Sequence, residues 1–223
     1  MRRRYPVPVT ATSSDDIAIA GLYGTGWLLC YESLAELAGL APTTMEALGV
    51  ARSSSAVVDA ARTCLALVPE EQADHLVGST RSALASVQRH TPSSSWAEAL
   101  LKNVLLFGAG MDLADHTSAQ WPPAVAAVLE HNPGRELAEL LTQTLSDLEL
   151  DDEQVSRTSL FGRRVVAELS AQAQRIVSRD TRLIRALTGV EGGTTDEVSR
   201  AVELLQTLVE GAAQRMLALG FQP

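Results

Sequence analysis

The run D-L-A-D-H at residues 112–116 combines the two residue types best suited to hold a metal ion. Asp112 and His116 are four residues apart, so on an α-helix they share one face. Such a pair can begin a metal site in a helix bundle if neighbouring helices supply further ligands. Glu32 is a third candidate because it follows an apolar stretch, and a buried carboxylate needs a partner or a proton.

The spacing of the four histidines argues against a complete dimetal site. Carboxylate-bridged bundles take a Glu from each of two helices and a Glu-x-x-His motif from each of the other two. No glutamate stands three residues before any histidine; those positions hold Gln72, Val87, Leu113 and Val128. The sequence therefore predicts no resident metal and no other cofactor, with Glu32, Asp112 and His116 as remnants at most.

Other chemistries find little support. There is no phosphate-binding loop, no dinucleotide fingerprint and no G-x-S-x-G turn. The net charge of −9 disfavours a general nucleic-acid binder, since an acidic surface repels phosphates. The two cysteines, Cys30 and Cys64, form no C-x-x-C pair, which is typical of free thiols in a reducing cytoplasm.

Periodicity and capping residues predict an all-α fold. Ser13-Ser14-Asp15-Asp16 marks the start of a first helix, and no stretch alternates as a half-buried strand would. Residues 1–13 are predicted to be a flexible N-terminal arm, and residues 14–223 a single helical domain. The predicted helices cover about 14–40, 43–67, 70–89, 96–116, 123–131, 135–148, 156–187 and 196–219.

Several segments resemble a family of actinobacterial ferritin-like proteins. They are L-F-G-R-R-V-V-A-E-L-S-A-Q-A-Q-R-I-V at 160–177, A-A-Q-R-M-L-A-L-G at 212–220, Y-E-S-L-A with L-A-P-T near the start, and S-S-W-A-E-A-L-L-K at 94–102. This family is related to the diiron hydroxylase that acts on methylthio-isopentenyl-adenosine in tRNA. The resemblance implies a ferritin-like bundle of four long core helices plus accessory helices.

The resemblance also implies where metal ligands would lie. It places Glu32 at the first-helix glutamate and Asp112 near the third-helix acid. Where the second helix should carry Glu-x-x-His, the chain reads Val57-Val58-Asp59-Ala60, whose apolar residues imply a filled interior. The fourth motif should fall near residues 146–153, where there is no histidine.

Together these observations predict a cytoplasmic, ferritin-like protein that has lost its dimetal centre. We expect a non-catalytic scaffold or interaction protein, forming a homodimer and binding a protein partner of unknown identity, with no membrane association. One alternative is an oxygen-dependent hydroxylase with an atypical iron or manganese site at Glu32, Asp112 and His116. Another is a module that binds tRNA without modifying it.

Overall fold

A computed structural model describes residues 13–118, 121, 123–129, 133–179, 181–189 and 195–223. Within these residues every regular element is an α-helix. Their bounds are α1 Ser14–Gly39, α2 Thr44–Leu65, α3 Glu70–His90, α4 Trp96–Thr117, α5 Pro123–Leu129, α6 Pro133–Ser146, α7 Asp152–Arg179, α8 Thr181–Thr188 and α9 Thr195–Ala218. The predicted N-terminal arm lies outside the described residues, apart from Ser13.

Side-chain caps explain why the helices begin where the sequence predicts. Ser13 accepts a hydrogen bond from the backbone of Asp16, whose carboxylate in turn accepts from the Ser13 backbone N–H. Thr43 and Ser95 cap α2 and α4 in the same way, by accepting from the N–H three residues on. The predicted helix 156–187 is wrong in one respect, because two helices, α7 and α8, cover that range.

Four helices form the central ring of the bundle. α1 contacts α3 and α4, and α7 also contacts both α3 and α4, so each ring helix has two ring neighbours. α1 and α4 run antiparallel, since Trp27 packs near Phe107 while Glu36 meets Lys102. α2 lies against α1 and α6 against α4. α8 lies against the start of α1, where Arg185 meets Asp15, and α9 lies against α4 and α7.

The ring corrects two placements made from the resemblance. α2, which carries Val57-Val58, packs on α1 and not on α7, so α3 is the second helix of the ring. Val57 is buried but Val58 is 38% exposed, so only one of the two valines fills the interior. Residues 146–153 span the junction between α6 and α7, and the fourth ring helix is α7.

Candidate functional site

The interior of the ring carries a charged cluster on residues that the sequence reasoning did not select. Lys102 of α4 is completely buried, and its Nζ lies 2.7 Å from Oε2 of Glu36 on α1. The same ammonium donates to the carbonyl oxygen of Thr91 at 3.1 Å. The other Glu36 oxygen accepts from the Ser93 N–H at 3.1 Å, so this ion pair ties α1 and α4 to the connection before α4.

The charged cluster has a second part, which joins α3 to α7. His90 Nδ1 is 2.9 Å from Oε1 of Glu168, and that oxygen also accepts from Ser86 at 3.2 Å and from Gln172 at 2.7 Å. The hydrogen bond with His90 is the main cause that lowers the pKa of Glu168; bonds from Gln172 and Ser86 act in the same direction, and burial opposes them.

Ser86, His90 and Glu168 are the residue types of a hydrolase triad, but their geometry differs. Ser86 Oγ lies 3.1 Å from Nδ1 of His90, the same ring nitrogen that meets Glu168. A triad needs the serine and the acid on opposite ring nitrogens, so that the imidazole can move a proton between them. The arrangement positions helices and does not activate a nucleophile.

The predicted residues Asp112 and His116 do share a face of α4, but each has its own partner and they do not converge on one site. Both terminal nitrogens of Arg215 on α9 bind Asp112, at 2.6 and 2.7 Å. Gly108 and Gly211 leave the space for this pair, because a Cβ at either position would collide with Arg215 or Asp112. His116 Nδ1 donates to the Asp112 carbonyl oxygen at 2.8 Å, an intrahelical bond.

Glu32 lies one turn away from the charged cluster and is bound elsewhere. Its carboxylate accepts from Arg81 of α3 at 2.6 Å, and its side chain is 37% exposed. The structure therefore does not bring Glu32, Asp112 and His116 to a common partner. Within the described ranges, no three His, Cys, Asp or Glu side chains are grouped so that they could hold a metal ion.

The sequence did contain a signal for the charged cluster. Lys102 is the only lysine among the 223 residues, and it stands inside the apolar run A-L-L-K-N-V-L-L-F. A charged residue inside an apolar helix predicts a buried partner. Glu36, rather than Glu32, is that partner because it lies one further turn along α1.

Beside the charged cluster lies an apolar cavity of about 220 Å³ that is partly open to solvent. Its walls come from α1, α3, α4, α7, α8 and α9, and among the residues that the structure describes no lining side chain carries a formal charge. Both cysteines are free: Cys30 is in the cavity wall, Cys64 is buried, and burial raises the pKa of each thiol to about 12.

The family model of the ferritin-like domain of actinomycetes matches residues 14–190. The chain belongs to this ferritin-like family. The match includes all four ring helices, in agreement with the predicted all-α ferritin-like bundle, while α9 lies beyond it. No curated protein matches the sequence. None of the described helices is long and apolar enough to cross a membrane.

Proposed function

We propose that this ferritin-like protein is a non-catalytic binding or scaffold protein whose former metal centre is replaced by internal ion pairs. The observation that carries the proposal is the pairing of carboxylates inside and around the ring. Glu32, Glu36, Glu168 and Asp112 each bind a basic side chain at 2.6–2.9 Å. Glu98 is buried; it accepts two bonds from Ser94 and lies 3.8 Å from Arg157.

The four ring helices support the proposal position by position. A dimetal bundle takes single carboxylates from two helices and Glu-x-x-His from the other two. α1 supplies Glu36, but α4 presents Lys102 against it. α3 reads Val87-x-x-His90, with the histidine but not the glutamate, and α7 reads Glu168-x-x-Ala171, with the glutamate but not the histidine. These donors do not fit a dimetal centre, because the ammonium of Lys102 already neutralises Glu36.

The metal content of the untagged protein tests this proposal. Protein from cells supplied with iron and manganese is expected to carry far less than one metal ion per chain. Stoichiometric iron or manganese that is lost in Glu36→Ala or Asp112→Ala would contradict the proposal and favour the hydroxylase. Glu203→Ala is the matched control, since Glu203 is exposed on α9 and pairs with Arg200 on the same helix.

The homodimer remains a prediction. Exposed apolar side chains on α2, Met45 at 75% and Leu48 at 52% exposure, are one turn apart and form a small apolar patch. A dimer through this patch should dissociate in Met45→Glu/Leu48→Glu. Light scattering measures the mass directly, and a monomeric mass for the unaltered protein would rule the dimer out.

A further inference from the structure

The apolar cavity, which is partly open to solvent, is larger than the voids of an ordinary core. Protein interiors pack as densely as organic crystals and contain few voids larger than a water molecule. This cavity measures about 220 Å³, whereas apolar cavities of about 150 Å³ in other proteins stay dry and bind benzene-sized molecules. Its volume and its walls therefore have the properties of a small-molecule site.

Small residues keep the cavity open. Gly26 of α1 and Gly110 of α4 both line it, and a Cβ at either position would meet nothing within 4 Å. Glycine in the middle of a helix costs stability relative to alanine. Neither residue is needed for close helix contact, unlike Gly24, where a Cβ would lie 2.7 Å from Leu65.

The dimensions of the cavity select a slender ligand. Its lining runs from Leu22 to Cys30 on α1 and from Ala201 to Ala212 on α9, which at 1.5 Å per residue is about 12 and about 16 Å. That length with so small a volume fits an extended alkyl chain better than a fused ring system.

The lining also selects an uncharged ligand. In the described part of the chain it contains no Asp, Glu, Lys, Arg or His, and among its few polar side chains are Gln88 of α3 and Ser170 of α7. A charged group placed here would lose its hydration without gaining a partner. A hydrocarbon chain loses nothing of this kind and gains contacts along its whole length.

We infer that this cavity binds an uncharged, alkyl-chain small molecule between α1, α4, α7 and α9. The site goes beyond the proposed function and does not depend on it. Metal content tests the proposed function and ligand binding tests the cavity. Because the two are measured separately, the failure of one proposal can be told from the failure of the other.

The test uses the full-length protein and isotope-labelled 1-decanol as an uncharged alkyl probe, displaced by unlabelled 1-decanol or by decanoate. We expect saturable binding of one probe per chain, and displacement by 1-decanol at a concentration at least tenfold below that needed for decanoate. Absence of saturable binding up to the solubility limit, or equal displacement by the anion, would overturn the inference.

Matched glycine variants locate the bound probe. Gly26→Leu fills the cavity and should weaken probe binding at least tenfold, whereas Gly49→Leu should leave binding within twofold. Gly49 is the control because it is an exposed, mid-helix glycine of α2, also with nothing within 4 Å of a Cβ. If Gly26→Leu loses its helical circular dichroism, Gly110→Leu fills the cavity from α4 instead. Unchanged binding in a folded filling variant would place the probe elsewhere and refute the site.

Discussion

The charged cluster and the apolar cavity lie side by side within the same ring of helices, yet they are built in opposite ways. In the cluster, Lys102 and Glu168 each have hydrogen-bond partners on neighbouring parts of the bundle. In the cavity, about 220 Å³ is open, and the side chains around it are mostly apolar.

This difference follows from what each kind of interior costs. A buried charge without a partner costs several kcal/mol, so a charged interior persists only when it is completely paired. An apolar void costs the packing contacts that its walls lose, and packing elsewhere can offset that cost. A ligand that binds in the void stabilises the folded protein further. The bundle thus holds one end of its interior together by ion pairs and leaves the other free to bind.

The largest expected effect comes from breaking the central ion pair on its exposed side. Glu36→Gln removes the negative charge that neutralises the completely buried Lys102, and the single amide oxygen cannot replace both carboxylate oxygens, which accept from Lys102 and from the Ser93 N–H. It should lower the free energy of unfolding by about 3–5 kcal/mol. Lys102→Met should cost less, because Glu36 is 33% exposed and water can solvate its carboxylate.

Urea unfolding of the two single variants measures this asymmetry. A larger loss for Lys102→Met than for Glu36→Gln would show that the burial of the lysine does not decide the cost of breaking the pair. Because Lys102 is the only lysine, an amine-reactive reagent provides an independent check that its side chain is buried. It should leave Lys102 unmodified in the native protein and modify it only after unfolding.

Two glycines of α1 allow the same substitution, glycine to alanine, to be compared at the cavity wall and at a packed helix contact. Gly26→Ala adds a methyl group where nothing lies within 4 Å, so helix propensity should raise the free energy of unfolding by about 1 kcal/mol. Gly24→Ala places a Cβ 2.7 Å from Leu65 and should lower the free energy of unfolding by about 1–3 kcal/mol.

Thermal and urea unfolding distinguish the two signs directly. The same gain in propensity applies to both variants, so the difference between them reports packing alone. Destabilisation by Gly26→Ala would mean that the cavity wall at this position is closed in solution.

Local signals in the sequence predicted the helices, but the neighbours of each helix depend on long-range packing. Ser13, Thr43 and Ser95 identify helix starts because a cap acts within three residues. No local signal tells that α3 rather than α2 faces α7. The partner of Asp112 is Arg215, 103 positions away, so spacing within one helix suggested a ligand where the fold forms an ion pair.

The same limit explains why Glu32 was selected instead of Glu36. The two glutamates are one turn apart on α1 and have similar apolar neighbours in sequence. Only the positions of α3 and α4 decide that Glu32 meets Arg81 at the surface while Glu36 meets the buried Lys102. The solitary lysine in an apolar run was the better guide to the polar interior.

The smallest expected effect tests the outer part of the charged cluster through pH. The pKa of Glu168 lies below its ordinary value of 4.5 in the folded protein, chiefly because of the bond with His90. A lowered carboxyl pKa stabilises the fold above the unfolded value, and this contribution is lost as pH falls through the folded one. Glu168→Gln should therefore cost about 1 kcal/mol at pH 7 and progressively less as the pH falls below about 4.5.

Urea midpoints for the unaltered protein and Glu168→Gln between pH 7 and about pH 3.5 measure this convergence. Glu203→Gln is the control, because the exposed pair of Glu203 with Arg200 should contribute well under about 1 kcal/mol at any pH. A difference in urea midpoint between Glu168→Gln and the unaltered protein that stays constant with pH would mean that the carboxylate charge does not join α3 to α7. The charged cluster would then depend on Glu36 and Lys102 alone. That single ion pair would be the only charged interaction that distinguishes the cluster from the cavity.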